Sequence, residues 1–245
     1  MIVLILIALA ALGLGGTALE HFFGNYGSSG VAIPTTTLAT APAAPAPATG
    51  PVLRSSLSAL TGLKSLNGVP APRFSLQDQA GSLQTVPRPP SEAIVLAFEN
   101  SACNDICPVL DQMLSQSARD LGPSARAVRY LVVNTDPRAT NVTATVPALD
   151  STLRSSIPSA VFLTGPLNKL DAIWRSYGVT VTVSSTGVAT HNDLLYVIDA
   201  RGRLRSQLTP FANESPSGVY QLAPKNITAF ASGIAQSVRQ AQEAR

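Results

Sequence analysis

The stretch that decides the fold is AIVLAFENSACNDICPVLDQML, residues 93–114. It opens with an unbroken apolar run at 93–98, a pattern typical of a central strand that is covered on both faces. From 108 to 121, apolar residues recur at helical spacing, and the pair Gly122-Pro123 predicts the end of that helix. The sequence here therefore predicts a strand, a loop and a helix, in that order.

Strand and helix patterns continue to alternate along the rest of the chain. The further predictions are a first strand and turn at 70–81, strands at 128–133, 159–163 and 179–183, helices at 147–155 and 166–177, a hairpin of 194–198 and 204–208 around a turn at 199–202, and a last amphipathic helix at 227–243. Strands that alternate with helices indicate an α/β layer architecture.

The amino-terminal segment 1–26 contains a different kind of apolar run. Residues 2–19 carry no charged side chain and, as a helix, are about long enough to cross a hydrocarbon core of roughly 30 Å. This predicts a transmembrane anchor. The competing interpretation is a cleaved signal peptide, but the run lacks a Lys/Arg flank before it and a clear A-x-A site after it.

Residues 27–53 are rich in Pro, Ala and Thr, and 27–52 carry no charge and no aromatic ring. Such a segment buries too little apolar surface to offset its ordering entropy, so we expect a flexible linker. The folded domain is then 54–245. Because no second apolar span follows, we expect this domain to lie wholly on one side of a cell or inner membrane, and the cysteine chemistry below suits the extracytoplasmic side.

The charge pattern bears on the class of partner. The chain has a formal net charge of +3, and its longest basic run is RGRLR at 201–205. This is too small and scattered an excess to indicate nucleic-acid binding. We therefore expect no nucleic-acid partner.

Both cysteines of the chain lie in the loop after the first buried strand. Cys103 and Cys107 are separated by three residues, so a helix beginning near them places both sulfurs on one side, and its first turn favours thiolate. Two soft thiolates suit Cu(I), zinc or an iron–sulfur centre, but an ion needs a further ligand. His191 is the one histidine of the predicted domain, and it precedes the hairpin strand. The three residues together would form a Cys₂His set suited to copper.

Spacing alone leaves other interpretations open. Two cysteines four positions apart in an exported protein also fit a redox pair or a structural disulfide. A lone histidine at a strand edge is also often an ordinary polar residue. The residues by themselves therefore do not choose among a metal site, a thiol–disulfide enzyme and a structural crosslink.

Four short motifs add to this pattern through their order along the chain. They are SACNDICP at 101–108, NTDP at 134–137, FLTG at 162–165, and the run from His191 through YVID to Gly202. They resemble T-x-C-x-x-x-C-P, S-x-D-P, F-L-T-G and H-x-x-x-x-Y-L-I-D-x-x-G of the SCO/SenC copper proteins. The resemblance spans about 70–208.

The resemblance implies a thioredoxin-like three-layer sandwich that binds copper, as Cu(I) or Cu(II), through Cys103, Cys107 and His191. Asp136 is implied as a nearby accessory acid. The implied role is to deliver copper to the dinuclear copper site of cytochrome c oxidase, on subunit II, or to another copper acceptor, or to mature the thiols of that site. A thiol reductant is an implied partner because copper loading needs the reduced cysteines. No catalytic turnover is implied.

The chain departs from the family pattern around the cysteines. Glu99-Asn100 stands where many members have Gly-Phe, Ala102 replaces an aromatic residue or histidine, and Thr190 replaces the acid before the histidine. The alternative function is an extracytoplasmic thiol–disulfide oxidoreductase or thiol peroxidase on the same fold. Such oxidoreductases usually have C-x-x-C, whereas this chain has three intervening residues. A structural adaptor with a disulfide-closed loop is a third class, and it predicts no metal.

Overall fold

The structure is a computed structural model of the chain, and it describes residues 58–87, 92–100, 103, 105–142 and 152–244. The predicted anchor at 1–26 and linker at 27–53 lie outside these residues. Among the helices of the described ranges, none has both the length and the hydropathy that crossing a membrane requires.

The strand predicted at 93–98 lies in the interior of the main sheet. It runs Ala93–Glu99 (β4), and all seven of its residues are buried. Side chains alternate across a strand, so Val95 packs in the core on one face while Leu96 packs in the core on the other. This double burial explains why the run is apolar at every position before Glu99.

Twelve strands occur in the described part of the chain. They are β1 Lys64–Pro70, β2 Phe74–Asp78, β3 Leu83–Val86, β4 Ala93–Glu99, β5 Val128–Asn134, β6 Val161–Thr164, β7 Val181–Val183, β8 Ala189–His191, β9 Leu195–Ile198, β10 Arg203–Leu208, β11 Asn213–Glu214 and β12 Tyr220–Gln221. Eight of them form one sheet in the order β1-β10-β9-β4-β5-β6-β2-β3. Strands β4, β5 and β6 are parallel, and their other neighbours are antiparallel.

The described helices are α1 Cys107–Leu121, α2 Thr152–Ser156, α3 Leu167–Ser176 and α4 Pro224–Glu243, with a 3₁₀ turn at Gly122–Ala127 after α1. Pro108 lies in the first turn of α1, where a missing N–H costs no helical hydrogen bond. Gly122 ends α1 with a φ of 57°, a conformation that side chains with a Cβ rarely adopt.

The helices lie on both faces of the sheet. One core contains Leu110 and Met113 of α1 with Phe230 of α4, and the other contains Leu170 and Trp174 of α3. Two helical layers around a mixed sheet are the three-layer arrangement that was predicted. The fold-class prediction is thus confirmed for the domain.

Several boundaries differ from the sequence prediction. The strand predicted at 179–183 begins at Val181 and pairs with β8 outside the main sheet. Of the helix predicted at 147–155, residues 147–151 lie outside the described residues, and α2 (Thr152–Ser156) covers the rest. Strand β1 was not predicted, because only Gly68 of its seven residues is buried and no apolar alternation marks it.

Candidate metal and thiol site

The two cysteines lie where β4 leads into α1. The backbone N–H of Cys103 donates to the carbonyl of Asn100 at 3.0 Å, which turns the chain directly after the strand. Cys107 is the first residue of α1, and its N–H donates to Cys103 Sγ at 3.4 Å. An N–H at a helix start has no acceptor within the helix and stabilises a nearby negative charge. This geometry therefore favours a thiolate at Cys103 when the pair is reduced.

Cys103 and Cys107 form a disulfide, with their Cα atoms 5.9 Å apart. Their exposure differs: Cys103 is half-buried, whereas only 6% of Cys107 is exposed. Asp105, between them, is exposed, and its Oδ1 lies 2.7 Å from Cys103 Sγ. In the described residues, these three form the set whose ligand atoms all lie within 4.8 Å of one another.

His191 ends β8, and its side chain is only 5% exposed. Its Nδ1 lies 3.2 Å from the carbonyl oxygen of Asn192 and 3.7 Å from Asp193 Oδ1. A proton on Nδ1 donates to the Asn192 carbonyl and leaves the Nε2 lone pair for a ligand. His191 is outside the 4.8 Å set, and its link to the cysteine pair is the cavity that it lines together with Cys103.

That cavity has a volume of about 470 Å³ and is lined by Cys103, Asp105, His191 and Asp193 among others. The Asn100 side chain helps to hold its walls together, because its Nδ2 donates to the carbonyl of Ala189 on β8 at 3.2 Å. The cysteine loop and the histidine strand are therefore tied to each other although they are far apart in sequence.

Three buried or partly buried carboxyl groups lie on the elements that form the site: Glu99 ends β4, Asp111 lies on α1, and Asp193 lines the cavity. Burial raises the pKa of Glu99 well above its usual value, and the neighbouring charges of Asp111 and Asp193 raise it further. Burial also raises the pKa of Asp111 to about 6, against a hydrogen bond from the Leu153 backbone that lowers it. Glu99 Oε1 and Asp111 Oδ1 have no hydrogen-bond partner.

The third of these groups, Asp193, is the one beside the histidine. Burial raises its pKa to about 6, the charge of His191 lowers it, and the charge of Asp105 raises it. Below about pH 6 this carboxyl therefore carries a proton and no longer attracts a neighbouring cation. The charge next to His191 therefore changes around pH 6.

Asp136, the implied accessory acid, is 5% exposed and reaches the cavity through a neighbour. Its Oδ1 accepts from Arg138 Nε at 3.0 Å, and Arg138 lines the cavity. The carboxylate also accepts from the Arg138 backbone N–H at 2.9 Å. Asp136 thus orients a cation at the cavity wall.

Sequence reasoning missed Asp105, Asp111 and Asp193 as parts of this region. Asp111 lies four residues after Cys107, so helical periodicity could have placed it on the buried face. Asp193 lies two residues from His191 at a strand end. Glu99 was noticed only as a departure from the family pattern, because the sequence does not reveal that its carboxyl is buried against two others.

Comparison with known proteins gives both a family and a fold. Residues 66–220 match the SCO1/SenC family. No curated protein matches the chain closely enough to add a named relative. Among solved structures, ScoI of Arabidopsis thaliana with copper bound has a TM-score of 0.55 at 18% identity, over 69% of this chain and 98% of that one.

Two further structures have the same fold. A SCO1/SenC family lipoprotein of Bacillus anthracis gives a TM-score of 0.55 at 16% identity, over 73% of this chain and 97% of that one. BsSco is described as a member of the Sco family of cytochrome c oxidase assembly proteins with a disulfide switch. It has a TM-score of 0.52 at 19% identity, over 74% of this chain and 98% of that one. These likenesses show a thioredoxin-like fold of the Sco type. Since the family match covers more than half of its length, the chain belongs to the SCO1/SenC family.

Proposed function

We propose that this protein binds one copper ion, as cargo, through Cys103 Sγ, Cys107 Sγ and a ring nitrogen of His191, and passes it to an acceptor protein. The observation that carries the proposal is the cavity that Cys103 and His191 line together, with Cys107 bonded to Cys103 at its edge. Two thiolates and one imidazole are a donor set that suits Cu(I).

Copper loading requires the reduced pair. Two thiols of a reductant exchange with the Cys103–Cys107 disulfide, which gives two cysteine thiols and one disulfide of the reductant. Each thiol then loses a proton when it binds the ion. Oxidation back to the disulfide removes both sulfur ligands and releases the cargo, so a thiol reductant belongs among the partners.

We further infer that the acceptor is the dinuclear copper site of cytochrome c oxidase, on subunit II or an equivalent protein, and that the domain lies outside a cell or inner membrane on the anchor at 1–26. The support for the acceptor is family membership together with the oxidase-assembly description of BsSco. The support for the membrane is the uncharged run at 2–19 and the lipoprotein relative.

Copper titration of the reduced full chain tests the binding proposal. The parent is expected to bind about one Cu(I) per chain, and His191→Ala should lose at least about tenfold in affinity, since even outer-shell changes at metal sites cost that much. His21→Ala is the matched control, because it removes the other histidine of the chain. Unchanged affinity in His191→Ala would remove the imidazole from the site.

The second candidate function is a thiol–disulfide oxidoreductase, which the Cys103–Cys107 disulfide favours. Reduction of a test disulfide such as insulin separates the two functions. Turnover by the reduced chain without Cu(I) binding would favour the enzyme, and Cu(I) binding without turnover would favour the carrier.

A further inference from the structure

The structure describes two positions between the cysteines, 105 and 106. Of these two, Asp105 has a side-chain ligand atom close to both sulfurs. Its Oδ1 lies 2.7 Å from Cys103 Sγ, and the ligand atoms of Cys103, Asp105 and Cys107 all fall within 4.8 Å of one another. Ligands of one ion lie no further apart than two bond lengths, roughly 4–4.6 Å for sulfur and oxygen on zinc. The three atoms therefore lie within about the largest separation that one ion allows, with the two sulfurs joined by the disulfide in this form.

The Asp105 side chain also faces the same cavity as His191. With the two cysteines, the site would have four donors: two sulfurs, the imidazole nitrogen of His191 and a carboxylate oxygen of Asp105. Four such donors complete a tetrahedral site for a borderline divalent ion, whereas Cu(I) is served by the soft ligands alone.

We propose that Asp105 is the fourth donor of this site, and that its carboxylate gives the reduced protein a closed S₂NO site for divalent ions such as Co²⁺ and Zn²⁺. The proposal rests on the proposed function for the two sulfurs and the imidazole. It adds a residue that distinguishes divalent ions from Cu(I) by charge and hardness. The carboxylate contributes to the binding of a divalent ion and contributes little to the binding of Cu(I).

A structural role of Asp105 has to be separated from this one. Asp105 Oδ1 accepts from the backbone N–H of Ile106 at 2.7 Å, just before α1 begins. Asparagine has a side-chain oxygen that can accept the same hydrogen bond, but it lacks the negative charge. Asp105→Asn therefore retains the local hydrogen bond and removes the carboxylate donor.

The experiment is a Co²⁺ titration of the reduced full chain in detergent, followed by optical absorption. Tetrahedral cobalt with thiolate ligands gives sulfur-to-metal charge-transfer bands and intense d–d bands, so the spectrum reports the donor set as well as the affinity. We expect Asp105→Asn to weaken Co²⁺ binding by at least about tenfold and to change the d–d bands. Zn²⁺ competition against bound Co²⁺ should show the same loss.

The matched control is Asp120→Asn, which removes a carboxylate from the last turn of the same helix, where Gln116 Nε2 donates to it. It should leave both ions unaffected. Asp105→Asn should keep its Cu(I) affinity within about threefold of the parent, because Cu(I) relies on soft ligands.

The outcomes distinguish this inference from the function it rests on. Equal Co²⁺ affinity and an identical spectrum in Asp105→Asn and parent would overturn the fourth donor while leaving Cu(I) binding intact. Failure of the parent to bind Co²⁺ would also overturn it. Failure of the parent to bind Cu(I) would instead overturn the proposed function. A loss of Cu(I) affinity in Asp105→Asn as large as its loss of Co²⁺ affinity would contradict the selectivity for divalent ions.

Discussion

Phe98 and Glu99 are neighbours on β4, yet they face opposite environments. Phe98 joins an aromatic cluster, defined here as Phe74, Phe98, Tyr177 and Tyr196, whose ring centroids lie 5.3 to 6.3 Å apart in contacting pairs. Glu99 joins an acidic cluster, defined as Glu99, Asp111 and Asp193. Burial raises the pKa of all three carboxyls, and the charges of Asp111 and Asp193 raise that of Glu99 further. One step along a strand separates the two surroundings.

The two clusters differ in whether their buried polar atoms have hydrogen-bond partners. In the aromatic cluster, the Tyr177 hydroxyl donates to the carbonyl of Pro72, and the Tyr196 hydroxyl donates to the carbonyl of Tyr177. In the acidic cluster, Glu99 Oε1 and Asp111 Oδ1 are buried without a partner. The aromatic cluster therefore contributes to stability, while the acidic cluster carries groups that reduce it.

The largest expected effect is on the aromatic side. Phe98→Ala removes a ring that is 1% exposed, and the lost burial plus the cavity should lower the free energy of unfolding by about 3–5 kcal/mol. Urea unfolding followed by tryptophan fluorescence measures it, since Trp174 packs in the same core. Phe98→Leu, which refills most of the space, should lose clearly less. A loss below about 1 kcal/mol for Phe98→Ala would show that the ring is not tightly packed.

A substitution at Asp111 on α1 is expected to raise the free energy of unfolding instead of lowering it. The pKa of Asp111 is raised from 3.8 to about 6, so between these values the folded state binds more protons than the unfolded state. Stability contributed by this group therefore falls as pH rises through that window and stays low above it. Asp111→Asn should be more stable than the parent by about 2 kcal/mol at pH 8, with no gain near pH 4.

Thermal unfolding of both proteins from pH 4 to pH 8 checks the sign. Asp120→Asn is again the control, because its carboxylate accepts from Gln116 and is not among the charges that shift the pKa values of the acidic cluster. A stability gain of the same size at every pH would mean that the charge of Asp111 is not its cause.

A double-mutant cycle sharpens the comparison within the acidic cluster. Glu99→Gln and Asp111→Asn each remove the repulsion that both carboxylates share, so their stabilising effects at pH 8 should overlap. We expect the double variant to gain less than the sum of the two single variants by about 1 kcal/mol. Additive gains would show that the two groups are penalised by burial independently.

The smallest effect is expected from one hydroxyl of the aromatic cluster. Tyr177→Phe keeps the ring but deletes the hydrogen bond to the Pro72 carbonyl, which is 2.8 Å long in the native protein. The unfolding free energy should fall by about 0.5–1 kcal/mol, as is usual for one hydrogen bond. A loss as large as that of Phe98→Ala would mean that the hydroxyl, rather than the ring, organises the cluster.

The sequence predicts the elements that are buried on both faces or on one clear face. The run at 93–98, the helical spacing at 108–121 and the hairpin at 194–208 were each found close to their predicted bounds. Strand β1 was missed because it lies at the sheet edge, where exposed side chains follow no apolar pattern. Strands β7 and β8 are too short and exposed to specify their pairing from sequence.

The site was predicted less completely than the fold. The spacing of Cys103 and Cys107 placed the sulfurs on one side, but His191 was joined to them only as the one histidine of the predicted domain and through the family resemblance. Their shared cavity depends on tertiary contacts such as that of Asn100 with Ala189, and these lie 89 residues apart. The unpaired oxygens of Glu99 and Asp111 likewise depend on which elements pack around them, which no local pattern reveals.

The two cysteines differ in exposure, and this difference determines which sulfur is attacked first in thiol–disulfide exchange. A thiolate from solution attacks the sulfur it can reach, and only Cys103 borders the open cavity while Cys107 is 6% exposed. The mixed disulfide therefore forms at Cys103, and Cys107 is the leaving group, at the first turn of α1. Trapped intermediates should accordingly consist of one isomer, with the incoming chain attached at position 103.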